Sequence, residues 1–88
     1  MQIRYFAAAR AAAGTDAEVL DLDGATLSRW EVEELLARRH PEPPPGQPPL
    51  AEVLARSSFL LDGVACPDPG AEVPAGATLD VLPPFSGG

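Results

Sequence analysis

Leu27-Ser28-Arg29-Trp30-Glu31-Val32-Glu33-Glu34-Leu35-Leu36-Ala37-Arg38-Arg39-His40-Pro41 reads as one capped, amphipathic helix. Ser28 and Glu31 stand at capping-box spacing: the hydroxyl accepts from the amide of residue 31, and the carboxylate reaches back to the amide of residue 28. Leu27 before the cap and Val32 after it are spaced to form a hydrophobic staple. Val32, Leu35 and Leu36 recur at i, i+3 and i+4, which gives one apolar stripe with Glu33, Glu34 and Arg38 outside it. Pro41 lacks an amide and disfavours helical geometry at His40, so the helix is predicted over 29–40. Arg38, Arg39 and His40 fall in its last turn, where positive charge suits the helix dipole.

A single helix with one apolar stripe needs a surface to cover, and strand patterns lie on both sides of it. Upstream, residues 2–7 alternate around Ile3, Tyr5 and Ala7, with Phe6 on the other side. Residues 8–13 have helix propensity, but Gly14-Thr15-Asp16 is a turn signal and 18–22 alternates again. The expectation is an antiparallel hairpin whose long connection carries Arg10. Downstream, residues 41–49 hold six prolines and read as an extended surface loop. Leu50, Val53 and Leu54 predict a short helix. Residues 58–61 and 64–66 flank Asp62-Gly63, a pair suited to the positive φ angles of a tight hairpin turn. Pro67-Asp68-Pro69-Gly70 breaks that unit, Pro74-Ala75-Gly76 makes another turn, and residues 78–82 form a last strand that Pro83-Pro84 ends. The predicted fold is α+β: a mixed sheet of about five strands packed on one main helix plus a short helix. Residues 1–88 are expected to form a single domain, with 83–88 as its tail.

Composition narrows the chemistry. The 88 residues carry 6 basic and 13 acidic side chains, a net charge of −7, and all six basic residues are Arg. Such a chain lacks the basic footprint for phosphate backbones or anionic membranes, so neither nucleic acid nor membrane is an expected partner. Its charge predicts a basic docking surface on protein partners. One Cys cannot form an internal disulfide, and no apolar run approaches a membrane span, so a cytoplasmic domain is expected. Cys66 and His40 are the sole members of their kinds and read as a small buried residue and a helix-end cation. One Cys and one His supply no zinc set, and Asp21, Asp23 and Asp62 lack a calcium-loop pattern, so no metal site is expected. Nothing among the side chains reads as an enzyme active site.

The C-terminus reads differently. Gly87-Gly88 follows directly on a Pro83-Pro84-Phe85-Ser86 neck; with 8 glycines in 88 residues, two terminal glycines arise by chance about once in a hundred sequences. A tail without side chains is the thinnest polypeptide possible and adopts any backbone conformation, so it fits a narrow channel and presents its own carboxylate.

Four stretches together resemble the ubiquitin-like β-grasp sulfur carriers, most closely those of the molybdopterin-synthase small-subunit (MoaD) type. Ile3-Arg4-Tyr5-Phe6-Ala7-Ala8-Ala9-Arg10, followed by Gly14, is similar to the family's first strand and turn. The capped helix, the Leu60-Leu61-Asp62-Gly63-Val64-Ala65 strand and turn, and Leu79-Asp80-Val81-Leu82-Pro83-Pro84-Phe85-Ser86-Gly87-Gly88 complete the match. The chain departs from the pattern in its Gly76-Ala77 turn, its long Pro-rich loop and its lack of Lys. The resemblance implies a β-grasp fold and a non-catalytic, sulfur-carrying subunit with no bound cofactor. Gly88 would be adenylated by an ATP-dependent adenylyltransferase of the ubiquitin-activating type, then converted to a thiocarboxylate. Gly87 and Ser86 would thread the large catalytic subunit of molybdopterin synthase, and Phe85, Pro84 and Pro83 would contact it. The sulfur acceptor implied is cyclic pyranopterin monophosphate, in a heterotetramer of two small and two large subunits. A sibling carrier for thiamin thiazole or cysteine biosynthesis, and a ubiquitin-like interaction module that is never activated, stay open as alternatives.

Overall fold

The computed structural model describes residues 1–84; Phe85, Ser86, Gly87 and Gly88 lie outside the described residues. In chain order the elements are β1 (Gln2–Tyr5), α1 (Ala7–Ala13), β2 (Ala17–Val19), β3 (Leu27–Ser28), α2 (Arg29–Arg39), α3 (Leu50–Leu54), β4 (Ser58–Leu61), β5 (Val64–Ala65), β6 (Glu72–Val73) and β7 (Thr78–Leu82). A five-stranded sheet runs in the order β2-β1-β7-β4-β5. β1 and β7 are parallel and the other neighbours antiparallel, which is the mixed α+β sheet expected.

Alternation decides which side of the sheet the helices cover. Ile3 and Tyr5 of β1, Leu79 and Val81 of β7, and Phe59 of β4 point one way and are buried. They meet Val32 and Leu36 of α2 and Leu50, Val53 and Leu54 of α3 in one continuous core. Each such side chain contributes about 1.5–3 kcal/mol on burial, reckoned against an extended chain. Of the residues of opposite parity, Gln2, Arg4, Ser58, Leu60, Thr78 and Leu82 remain exposed or half-buried while Asp80 is buried, so the helices leave this face of the sheet uncovered.

The capping box forms as predicted. The Glu31 amide donates to Ser28 Oγ at 3.3 Å, and the Ser28 amide donates to Glu31 Oε1 at 2.9 Å. The Ser28 amide, the strongest cause, and the Ser28 hydroxyl together hold the Glu31 carboxyl below its ordinary range. Asp62 (φ 47°) and Gly63 (φ 83°) make the tight turn between β4 and β5 with both residues left-handed.

Two elements differ from the sequence expectation. The connection between β1 and β2 is a helix, α1, rather than a long turn. Its buried positions, Ala9 and Ala12, are too small to announce an apolar stripe, yet they let α1 lie close against the core. Ala7 (φ 49°) turns the chain into this helix, and Gly14 (φ 75°) ends it by donating its N–H to Arg10 O at 2.9 Å. The second difference is a two-residue ladder, β3 with β6, pairing Leu27 with Val73 and Ser28 with Glu72. It ties the start of α2 to the segment between the Pro67 and Pro74 turns.

Candidate functional site

The region that launches the tail is built by the parallel pairing of β1 and β7. Because the two strands run the same way, their C-terminal ends lie side by side, with Tyr5 opposite Val81. The chain leaves β1 beside the place where it leaves β7, and the Phe6 amide donates to Val81 O at 3.3 Å. Ladder pairing of β7 with β4 stops at Leu82 opposite Ser58. Pro83 follows, buried, and Pro84 is exposed. Neither proline has an amide to donate, so the strand cannot continue. A groove of about 190 Å³ runs beside this neck, lined by Ala8, Val53, Arg56, Pro83 and Pro84. The start of α1 and the end of α3 thus hold the exit between them.

Of the six residues predicted to form the site, Pro83 and Pro84 are placed at this exit. Phe85, Ser86, Gly87 and Gly88 lie outside the described residues. Sequence reasoning missed the surroundings. Arg4 donates to Asp80 twice, Nε to Oδ1 at 2.6 Å and Nη2 to Oδ2 at 2.7 Å, across the parallel pair. Asp80 is only 4 % exposed, so Arg4 satisfies a carboxylate otherwise stranded in the sheet. The Asp80 hydrogen bond and charge raise the Arg4 guanidinium further above its ordinary value. That guanidinium also stands 5.8 Å from the centre of the Phe6 ring, which is 40 % exposed. An acidic residue set between Leu79 and Val81 was the available signal for this pair.

Charge is unevenly distributed around the exit. A shallow hollow beside Phe6 is lined by Arg4, Arg10 and Asp16, with Arg10 Nη1 3.6 Å from Asp16 Oδ1. Arg4, Arg10 and Arg56 against Asp16 and Asp80 leave a local balance of 3 − 2 = +1.

The sole His and the sole Cys take separate partners. His40 Nε2 lies 2.5 Å from Glu18 Oε2, where Tyr5 Oη also donates at 2.8 Å, and Arg39 Nε donates to Oε1 at 2.7 Å. Burial pushes the Glu18 carboxyl up, but these hydrogen bonds outweigh it and hold the group below its ordinary range. The position of His40 is therefore explained by a carboxylate from β2 as well as by the helix end. Cys66 is buried beside Arg29, whose Nη1 donates to Cys66 O at 2.7 Å and whose guanidinium lies 4.4 Å from the Phe59 ring centre. Among the described residues no group of three or more His, Cys, Asp or Glu is placed to hold a metal ion. Among the same residues no helix is long and apolar enough to cross a membrane.

Comparison with known proteins bears on the same chain end. SAMP1 from Haloferax volcanii superposes with a TM-score of 0.72 at 24% identity, covering 100% of this chain and 98% of its own. A Pyrococcus furiosus protein assigned as subunit 1 of a molybdopterin converting factor gives a TM-score of 0.70 at 22% identity, covering 96% and 95%. At these identities both likenesses concern the fold, and both support the ubiquitin-like β-grasp. No curated protein sequence matches the chain. The sequence profile of the ThiS family matches residues 3–88, and with that match over nearly the whole chain the protein belongs to the ThiS family of MoaD/ThiS β-grasp sulfur carriers.

Proposed function

We propose that the reactive group of this protein is the carboxylate of Gly88 and that the folded domain is its handle. An ATP-dependent adenylyltransferase of the ubiquitin-activating type, working with it in the cytoplasm, joins the carboxylate to AMP and releases pyrophosphate. A carboxylate is a poor electrophile; the acyl-adenylate is a good one, and a sulfur nucleophile then displaces AMP to leave a C-terminal thiocarboxylate. The protein takes no resident cofactor in this scheme and performs no catalysis alone. Gly87 and Ser86 thread a channel in the partner, while Pro83, Pro84 and Phe85 set the angle and depth of entry.

The observation that carries this reading is the family match, which runs through Gly87-Gly88. The exit geometry supports it: β7 ends at Leu82, and a buried Pro83 is followed by an exposed Pro84 at the rim of the sheet. Among sulfur-carrier pathways we favour molybdopterin synthesis, with the thiocarboxylate delivering sulfur to cyclic pyranopterin monophosphate inside the large synthase subunit of a heterotetramer. The Pro83-Pro84-Phe85-Ser86 neck and the fold shared with the Pyrococcus furiosus protein support that choice. Loaded protein mixed with the large subunit and cyclic pyranopterin monophosphate should form the dithiolene product. Sulfur transfer to a thiazole synthase or a cysteine synthase instead would reassign the pathway. Deleting Gly88 should leave the thermal transition unchanged and abolish loading, since a terminal glycine buries almost nothing.

A further inference from the structure

An activated glycyl end is an acylating agent, and its ordinary targets in water are amines, thiolates and imidazoles. The chain has few of these: the fold buries the amine and the thiol and hydrogen-bonds one nitrogen of the imidazole. There is no Lys, and the guanidinium groups of the six Arg are protonated and not nucleophilic. The Met1 ammonium is buried and donates to Leu20 O at 3.0 Å, while Leu20 N donates back to Met1 O at 2.7 Å. The sole thiol belongs to Cys66, which is 6 % exposed. Its backbone is held from both sides, the amide by Phe59 O at 2.9 Å and the carbonyl by Arg29. His40 Nε2 is engaged by Glu18, and Tyr5 Oη donates to the same carboxylate. Burial, reinforced by Glu18, pushes the Tyr5 phenol far above its ordinary value, so no phenolate forms at neutral pH.

We infer that the folded chain is a donor-only acyl carrier: it offers no acceptor to the activated terminus of another copy, so the acyl group passes only to a nucleophile that a partner supplies. The protected reaction is simple acyl transfer. A nucleophilic nitrogen or sulfur of a second copy would bond to the Gly88 carbonyl carbon, the bond to the leaving group would break, and the nucleophile's proton would pass to water. Locking Met1 and Cys66 into the fold removes that side reaction wherever adenylated copies accumulate.

The inference rests on Gly88 being an activated end in the cell, but its test does not. The full chain is prepared with Gly88 as a small alkyl thioester by thiolysis of an intein fusion, and incubated concentrated at neutral pH. Products are followed by intact mass and non-reducing gels. Folded protein should form covalent dimer at least tenfold more slowly than the same protein in concentrated guanidinium, where Cys66 is free to exchange. A chain extended by Cys-Gly-Gly ahead of Met1, which frees a reactive amine and thiol from the fold, should ligate in the folded state. Folded protein that dimerises as fast as the denatured sample, through Met1 or Cys66, would overturn the inference; so would a denatured sample that stays equally inert. Failure of the sulfur-carrier reading would show separately, as an unloaded carboxylate in the presence of the activating enzyme.

Discussion

Gly63→Ala separates the stability of the handle from the chemistry of its end. Gly63 lies at φ 83°, in the second left-handed position of the turn between β4 and β5. A Cβ added there would meet no heavy atom within 4 Å, so no steric clash with neighbouring groups contributes. What remains is the backbone penalty of an L-residue in the left-handed region, about 1–2 kcal/mol, which the lower entropy of the unfolded Ala chain offsets only in part. A net loss of about 0.5–1.5 kcal/mol should lower the melting temperature of a domain this size by roughly 2–12 °C. Circular dichroism melts would measure it. Asn, which tolerates φ > 0 better than Ala, should cost less, and D-Ala, introduced by chemical ligation, should match glycine or gain about 0.4–1 kcal/mol. The turn adjoins the start of β7, where Leu61 faces Leu79, whereas the neck lies at the other end, beside Ser58 and Leu82. At temperatures where Gly63→Ala remains folded, its rate of C-terminal loading should therefore equal that of the parent. A D-Ala variant as unstable as the L-Ala one would refute the backbone explanation, and a loading defect in the stable fraction would refute the separation of handle from tail.

Three further outcomes follow from named contacts. Glu18→Gln should destabilise the protein near neutral pH and flatten its loss of stability in acid. The folded carboxyl is held below its ordinary value, so its contribution is present above the unfolded pKa of about 4.3 and is lost as pH falls through the lower folded value. Melts from pH 6 downward should accordingly show the parent's advantage over the variant shrinking across that interval; a gap that widens with acid would contradict the assignment. Ser28→Ala should cost about 1 kcal/mol of stability by chemical denaturation, since it removes the cap acceptor of the Glu31 amide. Leu36→Ala, at a fully buried position, should cost about 2–5 kcal/mol and convert the sharp transition into a broad or early one.

The parts of the fold that were legible in sequence are those where local chemistry is self-sufficient. Ser28 with Glu31 announces a helix start, Pro41 its end, and Asp62-Gly63 a turn, because each motif needs only its near neighbours. Helix α1 was hidden because Ala carries propensity without periodicity; its place is set by Ala9 and Ala12 fitting against the core and by the left-handed Ala7, neither of which a pattern of apolar residues displays. The β3–β6 ladder was hidden because Leu27-Ser28 already serves as a helix cap and because its partner, Glu72–Val73, lies between proline turns. Around the exit, the prolines and glycines of the neck were readable, but Arg4 and Asp80 are separated by 76 positions and meet only through parallel pairing. The same holds for His40 and Glu18, which are 22 positions apart and whose pairing no spacing rule foretells.

The reactive-terminus claim is tested most directly by the intact mass of the protein after incubation with ATP, a sulfur donor and its adenylyltransferase. Replacement of one oxygen by one sulfur, located at Gly88 by fragmentation and absent from the chain lacking Gly88, is the predicted result. An unchanged mass, under conditions in which the same enzyme loads another carrier, would contradict it.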